Sequence, residues 1–227
     1  MINSLSCIIP FYNETDSLLK ILTELSKVKN ITQFICVDDG STNNLSEKIQ
    51  NKFPKILLIP LSINNGKSFA VRKGLEKTIE ENIILFDADL IDVKKLEVEK
   101  AIKIYFNGYY DLLIMKNIGD NKFIDGILRK DIFQSGKRIL SKSDLNNVLK
   151  NEIKGFELEV LINKYMINAH KKVGWVENSS YNPHKIKKEA LFRGFLKDFN
   201  MTVQIICRIG LIDYVKQMIF FAKVRAD

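Results

Sequence analysis

Short apolar runs alternate with stretches of helical spacing along the first hundred residues of the chain. The runs are Leu5 to Pro10, Phe34 to Asp38, Ile56 to Ile59 and Ile83 to Phe86, each of strand length and each ending in a polar cluster. Between them apolar residues recur at helical spacing, as at Leu18, Leu19, Leu22 and Leu25, with Thr15 or Asp16 able to cap that helix. Ser41 to Asn44 offers caps for a second helix ending near Phe53, and Lys67 to Glu80 reads as a third. Strands alternating with helices predict a mostly parallel, Rossmann-like sheet covered by helices. Right-handed crossovers then gather the carboxyl ends of the strands along one edge, where a ligand is expected.

Beyond Asp92 the pattern predicts a helix to about Asn107, a strand from Tyr110 to Met115 and a helix-like stretch from Phe123 to Phe133. A short strand at Ile139-Leu140, a helix from Phe156 to Asn168 and a closing strand from Val173 to Val176 follow, and from Lys187 the chain reads as helical to its end. The apolar segment Phe199 to Ala222 is interrupted by Arg208, Asp213 and Lys216, short of the ~18–20 uninterrupted residues of a membrane span. An amphipathic helix pair is expected there, packed on the core or a second copy, or lying on a membrane surface. The expected division is one α/β domain over residues 1–186, with halves 1–92 and 93–186, and a helical extension over 187–227.

Composition sharpens this picture at three points. The chain has 227 residues, 46% of them hydrophobic, which suffices for one sizeable core. Its formal charge is +8, and residues 185–227 hold nine Lys/Arg against four Asp/Glu, so five of the eight excess charges sit in the tail. Such a tail suits a solvated face, an anionic membrane surface or a phosphorylated substrate; nucleic acid is not an expected partner, since the sequence carries no recognition motif for it. Cys7, Cys36 and Cys207 are widely spaced and the first two lie within strand-like runs, which points to buried thiols in a reducing compartment. The start of the chain shows no export signal, so a cytoplasmic location is expected, either free or on the cytoplasmic face of a membrane.

The polar clusters at the strand ends carry the candidate chemistry. Pro10-Phe11-Tyr12-Asn13-Glu14 provides a rigid start, an aromatic plane and two polar side chains, or simply a helix-capping turn. The tandem acids Asp38 and Asp39 repel one another unless a ligand or amide donors receive them, with a cap on the following turn by Asp39 or Ser41 as the lesser alternative. Asn65-Gly66-Lys67-Ser68 imitates the end of a P-loop, but Leu61 stands where that motif needs its first glycine, which excludes an ATPase reading. Asp87-Ala88-Asp89 offers two hard carboxylates, one residue apart, to a divalent cation carrying a diphosphate. Arg138, preceded by Ser135, Gly136 and Lys137, offers a fork for a phosphate or carboxylate.

In this order the clusters resemble the nucleotide-sugar glycosyltransferases of family 2, which have the GT-A fold. The resemblance is close over residues 4–90 and looser over 130–190. It implies that Pro10, Tyr12 and Glu14 lie against the donor's base and ribose, that Asp38 or Asp39 contacts base or ribose, and that Lys67 meets the diphosphate. Gly66, Lys67, Ala70, Arg72 and Gly74 resemble the family helix beneath the donor, in which Gly74 would permit close packing. Asp87, Ala88 and Asp89 resemble its Asp-x-Asp motif, which implies Mg²⁺ or Mn²⁺ on Asp87 and Asp89, with Asp89 also counted as catalytic. Ser135, Gly136 and Arg138 resemble an acceptor-side segment of polyprenyl-phosphate glycosyltransferases and glucosyl-3-phosphoglycerate synthase-like enzymes. Gly155 to Glu159 resembles a further segment and implies that Glu159 faces the reaction centre. His184 either matches a late metal-binding histidine or is an ordinary surface residue.

One departure bears on mechanism. Many of these enzymes that act on hydroxyls place a Glu-Asp or Asp-Asp base after the metal motif, and this chain contains no Glu-Asp dipeptide. Either Glu159 or another acid deprotonates the acceptor, or the acceptor is already an anion such as a polyprenyl phosphate. The resemblance thus implies an inverting, metal-dependent transferase that moves a hexose from a UDP- or GDP-sugar to a sugar, phosphorylated or lipid-phosphate acceptor. The alternative is a non-catalytic nucleotide-sugar-binding protein of the same fold.

Overall fold

The computed structural model describes residues 3–117, 132, 134–150, 158–181, 206 and 210–227. Its centre is an eight-stranded sheet, built from β1 (Leu5–Phe11), β2 (Ile31–Asp38), β3 (Leu57–Pro60), β4 (Asn82–Leu85), β5 (Leu112–Asn117), β6 (Arg138–Ser141), β7 (Val173–Asn178) and β8 (Val224–Arg225). The spatial order is β3-β2-β1-β4-β6-β5-β7-β8. β6 runs antiparallel to both of its neighbours, and every other pairing is parallel. Because β6 enters where β4 leaves, with Leu85 opposite Arg138, the residues just before β6 stand beside the residues just after β4.

Helices cover both faces. On one, α1 (Ser17–Leu25) buries Leu18, Ile21, Leu22 and Leu25 in a cluster with Cys7, Ile9 and Cys36; α4 (Lys95–Asn107) adds Val98, Ala101 and Ile102 to the same cluster. On the other, α3 (Lys67–Leu75), α5 (Lys142–Leu149), α6 (Leu158–Asn168) and α7 (Leu211–Phe220) contribute to a cluster around Ile8, Ile35, Ile83 and Ile114. A remaining helix, α2 (Leu45–Lys52), buries Leu45 and Ile49. Gly74 lets α3 approach the sheet, since a Cβ there would run into Ile8 and Val37 side chains. Cys7 and Cys36 are free and buried, and burial pushes both thiols up, that of Cys36 to about 12.

The structure departs from the predicted elements at four places. α3 ends at Leu75 rather than near Glu80, because the Gln33 side chain takes the Ile79 amide and the Lys77 carbonyl while Thr78 caps the Leu75 carbonyl. α5 is an element that the apolar pattern does not predict, although Ser141 accepts from the Asp144 amide as a regular N-cap and the Ser-x-x-Asp spacing announces it. β7 extends to Asn178 and does not close the sheet. The tail is not helical to its end: β8 pairs with β7, and Arg225 lies over Trp175 while it bonds Glu177 and Asp227. The stretch expected to be helical from Phe123 to Phe133, apart from Ile132, and most of residues 182–209, His184 included, lie outside the described residues. Among the described residues no helix is long and apolar enough to cross a membrane.

Candidate active site

The carboxyl ends of β1, β2 and β4 meet at one edge, as the alternation predicts. Tyr12 is 45% exposed there, and Pro10 and Glu14 are half-buried beside it. The loop after β1 is laced to the loop after β2. Asn13 donates its amide to Ser41 Oγ at 2.9 Å and accepts from the Thr42 amide at 2.8 Å, and Asn43 reaches the Glu14 carbonyl.

The tandem acids are both buried and both received by donors. Asp38 accepts from the Ser41 amide at 2.8 Å and from the Ser46 hydroxyl. Asp39 accepts from the amides of Asn65 and Gly66, at 2.9 and 2.7 Å. Its carboxylate thereby fixes the turn that leads into α3, which aims Lys67. Gly40, with φ +80°, lets this loop lie on the backbone of Ile63 and Asn64, where any Cβ would collide.

Lys67 is the hub. From the first residue of α3 its Nζ donates to Asp87 Oδ1 at 2.5 Å and to Glu159 Oε1 at 2.6 Å. Burial by itself works against the ammonium, but the two carboxylates outweigh it, so its pKa is raised and it stays charged. Asp87 leaves the end of β4, Ala88 is buried, and Asp89 stands half-buried in the turn that follows. Gly136 completes the contact: a Cβ there would fall on the Asp87 carboxylate, so only glycine lets β6 start this close. The loop that carries Asp87 and Asp89 is pinned farther on, where Ile91 and Tyr181 exchange backbone hydrogen bonds of 2.9 and 3.1 Å.

Behind this front lie two buried cations. Lys137 donates to Asn178 Oδ1 at 2.6 Å and to Ser180 Oγ at 2.5 Å, and burial lowers its pKa to about 7 against the pull of Asp87 and Glu97. Arg138 is wholly buried and donates to the carbonyls of Ser135 and Glu159 and to Asn163 Oδ1, at 2.6, 3.2 and 2.6 Å. Burial lowers its pKa to about 10, which leaves it cationic at neutral pH.

The structure thus brings together Lys67, Asp87, Gly136 and Glu159, which stand in separate motifs of the sequence. It corrects the acceptor fork. Arg138 is directed into the scaffold, and Ser135 turns its hydroxyl to the Met115 carbonyl at 2.8 Å. Asn163, Asn178, Ser180 and Gln217 are not among the residues that the motifs point to; for Asn163 in α6 and Gln217 in α7 the signal is a polar residue on an apolar helix face, whereas Asn178 and Ser180, at and just after the end of β7, carry no such signal. His184 and residues 155–157, the first part of the segment that carries Glu159, lie outside the described residues.

A divalent ion fits the donor set. Among the described residues no three His, Cys, Asp or Glu side chains cluster as a cage. Mg²⁺ characteristically takes one or two carboxylates and completes its shell with substrate phosphates and water, which Asp87 and Asp89 could provide.

Comparison with known proteins agrees with this geometry. The uncharacterised glycosyltransferase sll0501 of Synechocystis is 31% identical over 112 residues, which are 46% of this chain and 35% of that protein. The undecaprenyl-phosphate 4-deoxy-4-formamido-L-arabinose transferase of Serratia proteamaculans is 29% identical over 116 residues, 48% of this chain and 35% of its own length. The chain therefore spans about a third of the length of these curated relatives. Glucosyl-3-phosphoglycerate synthase from Mycobacterium tuberculosis, solved with Mn²⁺, UDP and phosphoglyceric acid, superposes with a TM-score of 0.70 at 17% identity, covering 93% of this chain and 78% of the synthase. S. aureus TarS 1–349 gives 0.59 at 21%, covering 75% and 57%. These likenesses establish the GT-A, Rossmann-like fold. The family model described as glycosyl transferase family 2 matches residues 6–168, from β1 through Lys67, Asp87 and Glu159 to the end of α6, and the chain belongs to that family.

Proposed function

We propose that the protein transfers a hexose from a UDP- or GDP-sugar to a phosphate-bearing acceptor, with inversion at the anomeric carbon and dependence on Mg²⁺ or Mn²⁺. The observation that carries this reading is Lys67 held between Asp87 and Glu159 at the edge where the strands end. The Serratia relative is named for undecaprenyl phosphate and the mycobacterial synthase was solved with Mn²⁺, UDP and phosphoglyceric acid, which supports the ion, the nucleotide and the anionic acceptor together.

When bound, the divalent ion would sit on Asp87 and Asp89 and neutralise the diphosphate as the glycosidic bond breaks. The chain's own groups do the rest. Tyr12 offers an exposed ring for the base beside the laced loops, and Asp39 holds the turn that presents Lys67. The ammonium of Lys67 stabilises charge growing on the leaving diphosphate. Glu159, one residue into α6 and paired with that ammonium, borders the space on the acceptor side. A hydroxyl acceptor would give its proton to this carboxylate. A phosphate acceptor needs no such base, consistent with the missing Glu-Asp pair.

Thermal-shift titration with UDP, GDP and their sugars in Mn²⁺, followed by turnover of the stabilising donor with polyprenyl phosphate or a phosphorylated small acceptor, tests the reading. Transfer that Asp89→Ala abolishes is the expected result. Metal-dependent donor binding without turnover would favour the non-catalytic alternative, and no nucleotide binding at all overturns both.

A further inference from the structure

The first turn of α6 carries Glu159 and is gripped from two sides. From β6, the guanidinium of Arg138 donates to the Glu159 carbonyl at 3.2 Å. From α7, Gln217 Nε2 donates to the Val160 carbonyl, also at 3.2 Å. The two grips are joined through Asn163, one turn beyond Glu159 on the same helix face. Its Oδ1 accepts from Arg138 at 2.6 Å and its Nδ2 donates to Gln217 Oε1 at 3.1 Å. Arg138 and Asn163 are fully buried and Gln217 is 2% exposed. A glutamine buried between Tyr214 of α7 and Phe221 just beyond it, on the apolar face that packs against the core, costs stability unless both ends of its amide are matched, and here both are. A fully satisfied buried network fixes one arrangement of its members more tightly than apolar packing does. Outside it, Lys164 of α6 pairs with Asp213 of α7 at 2.8 Å, which sets the two helices in register.

We infer that Gln217, on the carboxyl-terminal helix, is a positioning residue for Glu159, acting through the relay Gln217–Asn163–Arg138 that holds the carbonyls of Glu159 and Val160. The inference rests on the proposed transferase reading, in which Glu159 borders the reacting atoms. It gives the tail a role in the site, because a segment that looks like an appendage in sequence fixes where the Glu159 carboxylate meets Lys67.

The test uses the full chain with Gln217→Met, which keeps the side-chain volume and removes both hydrogen bonds, with Asn163→Leu, and with the pair. At a temperature where every variant is folded by circular dichroism, kcat is expected to fall roughly ten- to a hundredfold, the scale of a reacting group displaced by about an ångström, with donor KM within about twofold. The double variant should lose no more than the worse single one, since one broken relay cannot be broken twice. Unchanged kcat in folded Gln217→Met, or losses that add in full, overturns the relay. Hydrogen exchange gives a reading that needs no turnover: amides at the start of α6 should exchange faster in Gln217→Met. Faster exchange confined to α7 overturns the proposal, and because this readout is independent of activity, a wild-type protein that fails to transfer sugar condemns only the transferase reading.

Discussion

The two halves of the site deal with buried charge in opposite ways. In the half built from β1 to β4 the buried charged groups are acids, Asp38 and Asp39, and they are received chiefly by backbone amides of neighbouring loops, at Ser41, Asn65 and Gly66, with the Ser46 hydroxyl as the one named side-chain donor. In the half built from β5 to β8 Glu159 is buried as well, but what sets this half apart is two buried cations, Lys137 and Arg138. Apart from the Ser135 carbonyl three residues before Arg138, their named partners are side chains and a carbonyl from other elements: Asn178, Ser180, Glu159 and Asn163. Any loop at a strand end has spare amides, so an acid can be accommodated there by local sequence. A buried cation needs several oxygen acceptors that are not already in a ladder, and here all but the Ser135 carbonyl are recruited from other elements. The first half is therefore a local construction and the second a long-range one, and Lys67, bonded to Asp87 and Glu159, joins them.

The sharpest break is at that junction. Asp87→Ala removes the carboxylate between Lys67 and Gly136, and metal-dependent turnover should fall about a thousandfold, the upper range for loss of one electrostatic contact at a reacting centre. Melting should change little, because Lys67 keeps Glu159 as a partner. Full metal-dependent activity in this variant would show that the first half does not converge on Asp87 at all.

Next comes a change in the long-range half alone. Arg138→Leu strands the carbonyls of Ser135 and Glu159 and Asn163 Oδ1 in a buried place, and should destabilise the fold by roughly 3–5 kcal/mol in urea titrations. Asp39→Asn, the matching change in the local half, keeps one acceptor for the two amides and should cost only ~1–2 kcal/mol. Equal costs would erase the contrast between local and long-range accommodation.

The same contrast explains what is legible in the sequence. β1 to β4, the helices between them and the clustering of their carboxyl ends follow from apolar runs and crossover handedness, because parallel strands and their loops are written in contiguous stretches. Gly74 reads as a packing glycine, and Ile8 and Val37 stand where its Cβ would go. β6 runs against this logic. Its four residues place Gly136 against Asp87 only because the strand is antiparallel and follows β4 in space while following β5 in sequence. Arg138 reads as an exposed fork, since nothing adjacent in sequence discloses Asn163 or the carbonyls that bury it. β8 is hidden for the same reason: two residues pair with β7 from the far end of the chain, and a helical period cannot announce them.

Gly136→Ala probes the seam between the halves more gently. The new methyl must push the Asp87 carboxylate aside while the strand pairing stays intact, so kcat should drop roughly tenfold or more with melting shifted by only a few degrees. A large loss of stability with normal kcat in the folded fraction would mean that β6, and not the carboxylate, gives way.

The smallest effect at neutral pH is expected at Lys137. Replacing it with methionine removes two hydrogen bonds and also a buried charge, and the two contributions should cancel to within about 1 kcal/mol near pH 7. The pH dependence separates them. In the unfolded chain a lysine titrates at about 10.4, well above the folded value of about 7, so between these limits the unfolded state holds a proton that the folded state lacks. Stability contributed by Lys137 therefore rises with pH from about 7 to about 10 and is flat below about 7, where both states are protonated. Urea midpoints measured across that window should climb more steeply for the wild type than for Lys137→Met, with other titrating groups common to both. Parallel curves would place the lysine at its ordinary pKa, and the long-range half would then hold its cation as comfortably as the local half holds its acids.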